Sequence, residues 1–283
     1  MGRIDARCHL WTLALGDYTW LDPSNPDLKP IARDFVPADL QTELAQAGIG
    51  QAVLVQAAAT VAETDFMLSL ADKTPQIAGV VGWVDLTDLT AIDDIARLAQ
   101  NPAFKGVRPM LQDIDQDDWI ITQGKQPLID ALLTHGLRFD ALVCPQHLSH
   151  LLQFTRQNPD LPIVIDHAAK PALSDLSDPS WDIWRRDMAL LAQEPQVFCK
   201  CSGLLTEMGG NLGQAPEILK PVMTDLLDWF GPRRLMWGSD WPVLNLAGDY
   251  GYWNQLSGDL MADLSDDERQ YVFQGAAQVF YGV

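Results

Sequence analysis

The chain has 283 residues, 47% hydrophobic and 20% charged, which is enough apolar material for one large core and fits a single domain spanning 1–283. Its formal net charge of −19 repels phosphate backbones and anionic lipid, which argues against nucleic acid and membrane as partners and leaves small molecules or proteins. No apolar run approaches the roughly 20 residues of a membrane span, the first residues lack a basic-then-apolar leader, and Cys8, Cys144, Cys199 and Cys201 are scattered without a Cys-x-x-Cys spacing, so a cytoplasmic protein with reduced thiols is expected.

Short apolar runs alternate with segments of helical period along the whole length. Strands are expected at 2–11, 51–58, 77–84, 106–111, 137–143, 163–167, 197–202 and 235–240. Between and after them, 37–47, 61–73, 91–99, 126–135, 145–158, 180–192, 216–230 and 266–280 carry apolar residues at helical spacing. Consecutive apolar positions such as Ala52-Val53-Leu54-Val55 suit strands covered on both faces. Eight such units predict an α/β fold, a (β/α)₈ TIM barrel, in which the catalytic groups sit at the carboxyl ends of the strands. The alternative is an open doubly wound sheet, but no Gly-x-Gly-x-x-Gly follows the first strand and no Gly-x-x-x-x-Gly-Lys loop occurs. The aperiodic stretch 16–34, rich in Pro, Asp and Asn, would be a mouth loop whose Tyr18, Trp20 and Leu21 could lid a pocket.

The ionisable residues near the expected strand ends are Asp5, Arg7 and His9, then Arg108, Asp140, Asp166, His167, Lys200 and Asp240. Residues two apart on a strand share a side, so Arg7 and His9 can face one pocket. Each has a structural explanation taken singly: a lone histidine satisfies hydrogen bonds, Arg108 or Lys200 neutralises an inner carboxylate, Asp5 caps a loop, and Asp240 starts a turn before Pro242. Their convergence at the ends of several strands points to a site. His135, His147 and His150 fall on or beside helices and read as surface or packing residues.

The segments Asp5-Ala6-Arg7-Cys8-His9-Leu10-Trp11, Tyr18-Thr19-Trp20-Leu21, Gly106-Val107-Arg108, Asp166-His167-Ala168-Ala169-Lys170-Pro171, Lys200-Cys201-Ser202-Gly203 and Trp237-Gly238-Ser239-Asp240-Trp241-Pro242 resemble the lactonase branch of the amidohydrolase superfamily. The resemblance runs nearly end to end. It implies a (β/α)₈ hydrolase of sugar-acid or aromatic-derived lactones. His9 matches the second position of the family's first-strand His-x-His pair, His167 the histidine after the sixth strand, and Asp240 the aspartate of the eighth. In the superfamily these positions hold a divalent metal or, in metal-independent lactonases, polarise the ester carbonyl while the aspartate activates water. Two departures stand out. Arg7 replaces the first histidine, and Gly275-Ala276-Ala277 has alanine where the family commonly has asparagine.

Opening a lactone needs a base for water, donors for the oxyanion and an acid for the leaving alkoxide. Asp240 is expected as base and later acid, with His9, His167 and Arg7 as donors. Arg108 and Lys200 are the expected partners of a substrate carboxylate or hydroxyls, and Trp20 is the expected stacking surface for a sugar-like ring. If a zinc or manganese ion is held, its ligands are His9, His167 and Asp240. Because Arg7 brings a permanent cation into the place of a ligand, metal-independent hydrolysis is expected. The alternatives are a ligand-binding relative that has lost hydrolysis and a metal-dependent decarboxylase. Some of the ten tryptophans could serve a homodimer contact.

Overall fold

The computed structural model describes residues 2–283. Eight parallel strands follow one another in chain order around a single sheet: β1 Arg3–Cys8, β2 Ile49–Val55, β3 Ile77–Gly82, β4 Phe104–Val107, β5 Arg138–Ala141, β6 Ile163–Ile165, β7 Val197–Cys201 and β8 Leu235–Trp237. The first and last strands meet just beyond their ends, where Asp240 N–H donates to the Arg7 carbonyl at 2.8 Å and His9 N–H to the Trp241 carbonyl at 2.7 Å. The result is the expected (β/α)₈ barrel, and its closure brings Arg7, His9 and Asp240 side by side.

Helices cross outside the sheet: α1 Pro37–Ala47, α2 Val61–Ala71, α3 Ala91–Leu98, α4 Trp119–Thr122, α5 Gln126–Thr134, α6 Leu148–Gln157, α7 Ser180–Leu191, α8 Ala215–Phe230 and α9 Tyr250–Leu260. Local chemistry starts several of them. Pro37 opens α1 at a position with no intrahelical N–H partner to lose. The Thr60 hydroxyl accepts the Glu63 N–H at 3.1 Å ahead of α2, and the Asp249 carboxylate accepts the Tyr252 N–H at 2.7 Å ahead of α9. The short α4 and the glycine-containing α9 have little apolar period of their own, so the periodic pattern does not reveal them.

Two apolar layers result. The larger lies between the sheet and the helices. The smaller fills the barrel interior, where Ile4, Ala6, Val53, Val55, Val81, Val164 and Met236 meet Ala276, Ala277, Phe280 and Tyr281 from the C-terminus. The single helix expected at 266–280 is three pieces, α10 Asp266–Gln270, a π turn Tyr271–Gly275 and α11 Ala276–Tyr281. That wider turn carries the last residues into the interior layer. Among the described residues no helix is long and apolar enough to cross a membrane.

Candidate active site

Asp240 leaves β8 in a left-handed conformation, φ 61°, and its neighbours explain how the chain reaches it. A Cβ at Gly238 would stand 2.9 Å from the Arg7 Cβ, so only glycine lets the strand pass this close to β1. Asp5, wholly buried, then staples the turn. It accepts the Ser239 N–H at 2.8 Å, the Ser239 hydroxyl at 2.6 Å, the Tyr250 hydroxyl at 2.7 Å and the Arg7 N–H at 3.1 Å. Burial nevertheless pushes its carboxyl up to about 6. Asp5 is the framework that aims Asp240 and does not line the cleft.

Three side chains converge on one Asp240 oxygen. Arg7 Nε donates to Oδ1 at 3.0 Å, while His9 Nε2 and His167 Nε2 lie 3.1 and 3.6 Å from it. Burial raises the proton affinity of Asp240, but His167, Arg7 and His9 more than offset it and hold the carboxyl well below the usual carboxylate range. Burial lowers the proton affinity of both imidazoles, and Asp240 opposes that shift in each. His9 Nδ1 lies 2.7 Å from the Val55 carbonyl, which can only accept. Its Nε2 faces a second acceptor, Asp240 Oδ1, so a proton on each nitrogen satisfies both contacts, whereas a neutral ring satisfies only one. His167 Nδ1 lies 3.1 Å from the Ser202 hydroxyl, and a hydroxyl donating there leaves Nε2–H as a donor.

His167 does not belong to β6, as the expected strand 163–167 has it. The strand ends at Ile165, and His167, Ala168, Ala169 and Lys170 are all left-handed, with φ of 53°, 49°, 59° and 50°. Each such residue costs about 1–2 kcal/mol, so the turn costs roughly 4–8 kcal/mol, a sizeable part of a domain's net stability. Surrounding contacts hold it. Lys170 N–H donates to the His167 carbonyl at 2.9 Å, and the Trp184 indole N–H to the Ala168 carbonyl at 2.6 Å. Glycine at 203 is required, because a Cβ there would lie 2.1 Å from His167 Nδ1.

Below this floor runs a buried ladder of alternating charge. Arg7 Nη1 pairs with Asp166 Oδ2; Asp166 Oδ1 lies 3.0 Å from Lys200 Nζ; and Lys200 donates to Asp140 Oδ2 at 2.5 Å, where the Tyr281 hydroxyl also donates at 2.7 Å. Burial raises Asp140, whereas Arg7, Lys200 and Arg108 drive Asp166 far below the ordinary range. This corrects one expectation. Lys200 is fully buried between two carboxylates and lies outside the cleft, because its position on β7 points it into the barrel interior below the mouth.

The cleft above has a volume of about 200 Å³. Its lining includes Arg7, His9, His167 and Asp240, as expected, together with Trp20 and Arg108. Trp20 is 37% exposed, and its indole N–H donates to the Ala57 carbonyl at 2.7 Å. Ala57 and Ala58 are in turn held by the buried Glu63 carboxylate, which accepts their N–H groups at 3.0 and 2.8 Å. Arg108 is bracketed by Gln56, whose Nε2 donates to the Arg108 carbonyl at 2.6 Å and whose carbonyl accepts Arg108 Nη2. Its buried Nε and Nη1 make no hydrogen bond among the described residues, and Nη1 lies 3.6 Å from Asp166. Burial and Arg7 lower this guanidinium to about 10, still charged at neutral pH. Sequence reasoning missed Met110, Gln112, Asp113, Leu142, Lys170, Thr206 and Val243 in the lining. Lys170 alone carried a signal, since it stands in the same motif as His167.

A divalent ion shared by His9 Nε2, His167 Nε2 and Asp240 Oδ1 does not fit this arrangement. Bound about 2.1 Å from Oδ1, it would lie within roughly 5 Å of Arg7 Nε. A dication and a guanidinium at that distance repel by about 6 kcal/mol at an effective dielectric of 20. Asp166 does not cancel this, because Arg7, Arg108 and Lys200 share it.

Residues 4–283 match the family model described as Amidohydrolase. The chain is 46% identical over 288 residues to an L-fucono-1,5-lactonase of Burkholderia ambifaria, covering 99% of this chain and 96% of the relative. It is 35% identical over 258 residues to an L-fucono-1,5-lactonase of Burkholderia multivorans, covering 88% and 84%. A Burkholderia multivorans amidohydrolase solved with bound zinc superposes with a TM-score of 0.91 at 32% identity, covering 99% of each chain. A probable 2-pyrone-4,6-dicarboxylic acid hydrolase from Acinetobacter baumannii shares the fold, with a TM-score of 0.80 at 17% identity over the full length of both chains.

Proposed function

This chain belongs to the amidohydrolase family, and from that premise we propose that it is a lactonase that opens a small sugar-acid lactone by attack of a water activated by Asp240, without a metal. The observation that carries the mechanism is the meeting of an ionised Asp240 with His9 and His167 in one buried cleft. The curated relatives named for a sugar lactone support the substrate class, as does Trp20 standing half-exposed at the cleft.

The steps follow from which atoms donate and which accept. Water donates a hydrogen bond to Asp240, whose Oδ1 is held by Arg7 and His9. As its oxygen bonds to the lactone carbonyl carbon, one water proton passes to Asp240 and the carbonyl π pair moves onto oxygen. His9 thus holds the base in place, where the sequence alone suggests a donor to the oxyanion. The oxyanion is met by His167 Nε2–H and by the guanidinium of Arg7, fixed beforehand by its bonds to Asp240 and Asp166. The tetrahedral intermediate collapses by breaking the bond to the ring oxygen, which takes the proton from Asp240 and leaves as the hydroxyl of a hydroxy acid. The low proton affinity of Asp240 makes it a weak base but a willing acid in this second step, a division suited to a reactive ester. The guanidinium of Arg108 donates to substrate hydroxyls at the cleft wall.

The test is a panel of sugar-acid and aromatic-derived lactones followed with a pH indicator. Acid release fastest with sugar-acid lactones is expected; binding without acid release, or turnover confined to dicarboxylated pyrones, contradicts the reading.

A further inference from the structure

We propose that the left-handed turn His167–Lys170 is the device that sets His167 in register with Asp240, and that Trp184 on α7 is its positioning residue. This rests on His167 acting in the cleft as described above. Four successive left-handed residues without a glycine are costly, and nothing in the local sequence favours them. The turn divides its side chains: His167 lines the cleft, while Ala168 and Ala169 are wholly buried in the core. The surrounding packing therefore holds two alanines in a conformation that costs them but would cost glycine nothing. The turn is tied to the crossover helix α7 by the Trp184 indole bond to the Ala168 carbonyl at 2.6 Å. Trp181 and Trp229 pack edge-on and tilted against Trp184, each with ring centroids 5.4 Å away, which fixes its rotamer. The imidazole itself is bounded by Ser202 at 3.1 Å and by Gly203. Backbone and ring are thus located by separate elements, α7 for the first and the end of β7 for the second.

Trp184→Phe removes the N–H donor together with part of the buried ring, and Ala168→Gly and Ala169→Gly remove the methyl groups. For Trp184→Phe a fall in kcat of roughly tenfold or more at nearly unchanged KM is expected, because a displaced imidazole loses contact with the transition state more than with bound substrate. The glycine variants read the turn without any lactone: glycine loses nothing by a positive φ, so their thermal midpoints should match or exceed that of the wild type. A wild-type kcat in Trp184→Phe, or glycine variants that melt several degrees below wild type as ordinary buried alanines do, would overturn the proposal. A wild type that opens no lactone would instead refute the lactonase reading, and the melting arm would still decide the turn.

Discussion

Arg7 and Asp240 form a buried ion pair across the seam where the barrel closes, Nε to Oδ1 at 3.0 Å, and the same two residues are joined through their backbones by Asp240 N–H to the Arg7 carbonyl at 2.8 Å. The pair does two things at once. It keeps the Asp240 carboxylate ionised, and it places a fixed cation beside the groups that would hold a metal. Removing one partner of such a pair leaves an uncompensated charge in the core, so both ends serve stability as well as chemistry.

Replacing Arg7 by histidine exchanges the repelling cation for a ligand. Arg7→His is expected to bind zinc at least a hundred-fold more tightly than the wild type, because the repulsion of about 6 kcal/mol is removed. Elemental analysis after dialysis checks this. Wild-type protein carrying stoichiometric zinc, with activity abolished by chelation, contradicts it.

Lys200→Met isolates the ladder from the cleft. It leaves Asp140 and Asp166 facing each other without their shared ammonium, at a cost of about 3–5 kcal/mol. Urea melts should show the loss while KM stays near the wild-type value. A raised KM with unchanged stability would return Lys200 to the substrate.

Arg108→Lys keeps the charge but loses the fork. An ammonium cannot reproduce the planar fork at the cleft wall, so KM should rise by about tenfold with a smaller change in kcat. Steady-state kinetics on a polyhydroxylated lactone measures this; an unchanged KM would remove Arg108 from substrate binding.

Glu63 carries a pH signature. Burial pushes it from 4.5 up to about 7, so the folded chain holds a proton that the unfolded chain releases. Its contribution is fully present below about pH 4.5, declines as pH rises and is gone above about pH 7, a span worth up to about 3 kcal/mol. Glu63→Gln stays neutral throughout, so its melting temperature should gain on the wild type between pH 5 and pH 8. A constant difference across that range contradicts the account. Because Glu63 holds Ala57, whose carbonyl holds Trp20, the same variant reports on the rim of the cleft.

Much of this was legible in the residues. The eight apolar runs mark β1 to β8, and Arg7 and His9 reach the cleft with Asp240 as expected, although an irregularity between Asp5 and Cys8 breaks the alternation and leaves Asp5 off the cleft. What alternation cannot give is depth along a strand. Lys200 and Arg108 look alike in sequence, yet one ends between Asp140 and Asp166 and the other at the wall of the cleft. Asp5 similarly reads as a site residue, but four donors from the Ser239 turn, Tyr250 and Arg7 claim it. Nor does Ala168-Ala169 announce a left-handed turn, because its cause is the packing around it rather than the residues within it. The π turn at Tyr271–Gly275 was hidden for the same reason: the apolar period runs through it unbroken, and only the barrel interior demands the wider turn.

The central claim is that Asp240 takes the proton from water. Its most direct measurement is single-turnover hydrolysis of a sugar-acid lactone by wild type and Asp240→Asn, with substrate binding measured in parallel. The account predicts a chemical step slower by about 10²–10⁴-fold in the variant, with binding retained. Asp240→Asn opening the lactone at the wild-type rate would contradict it.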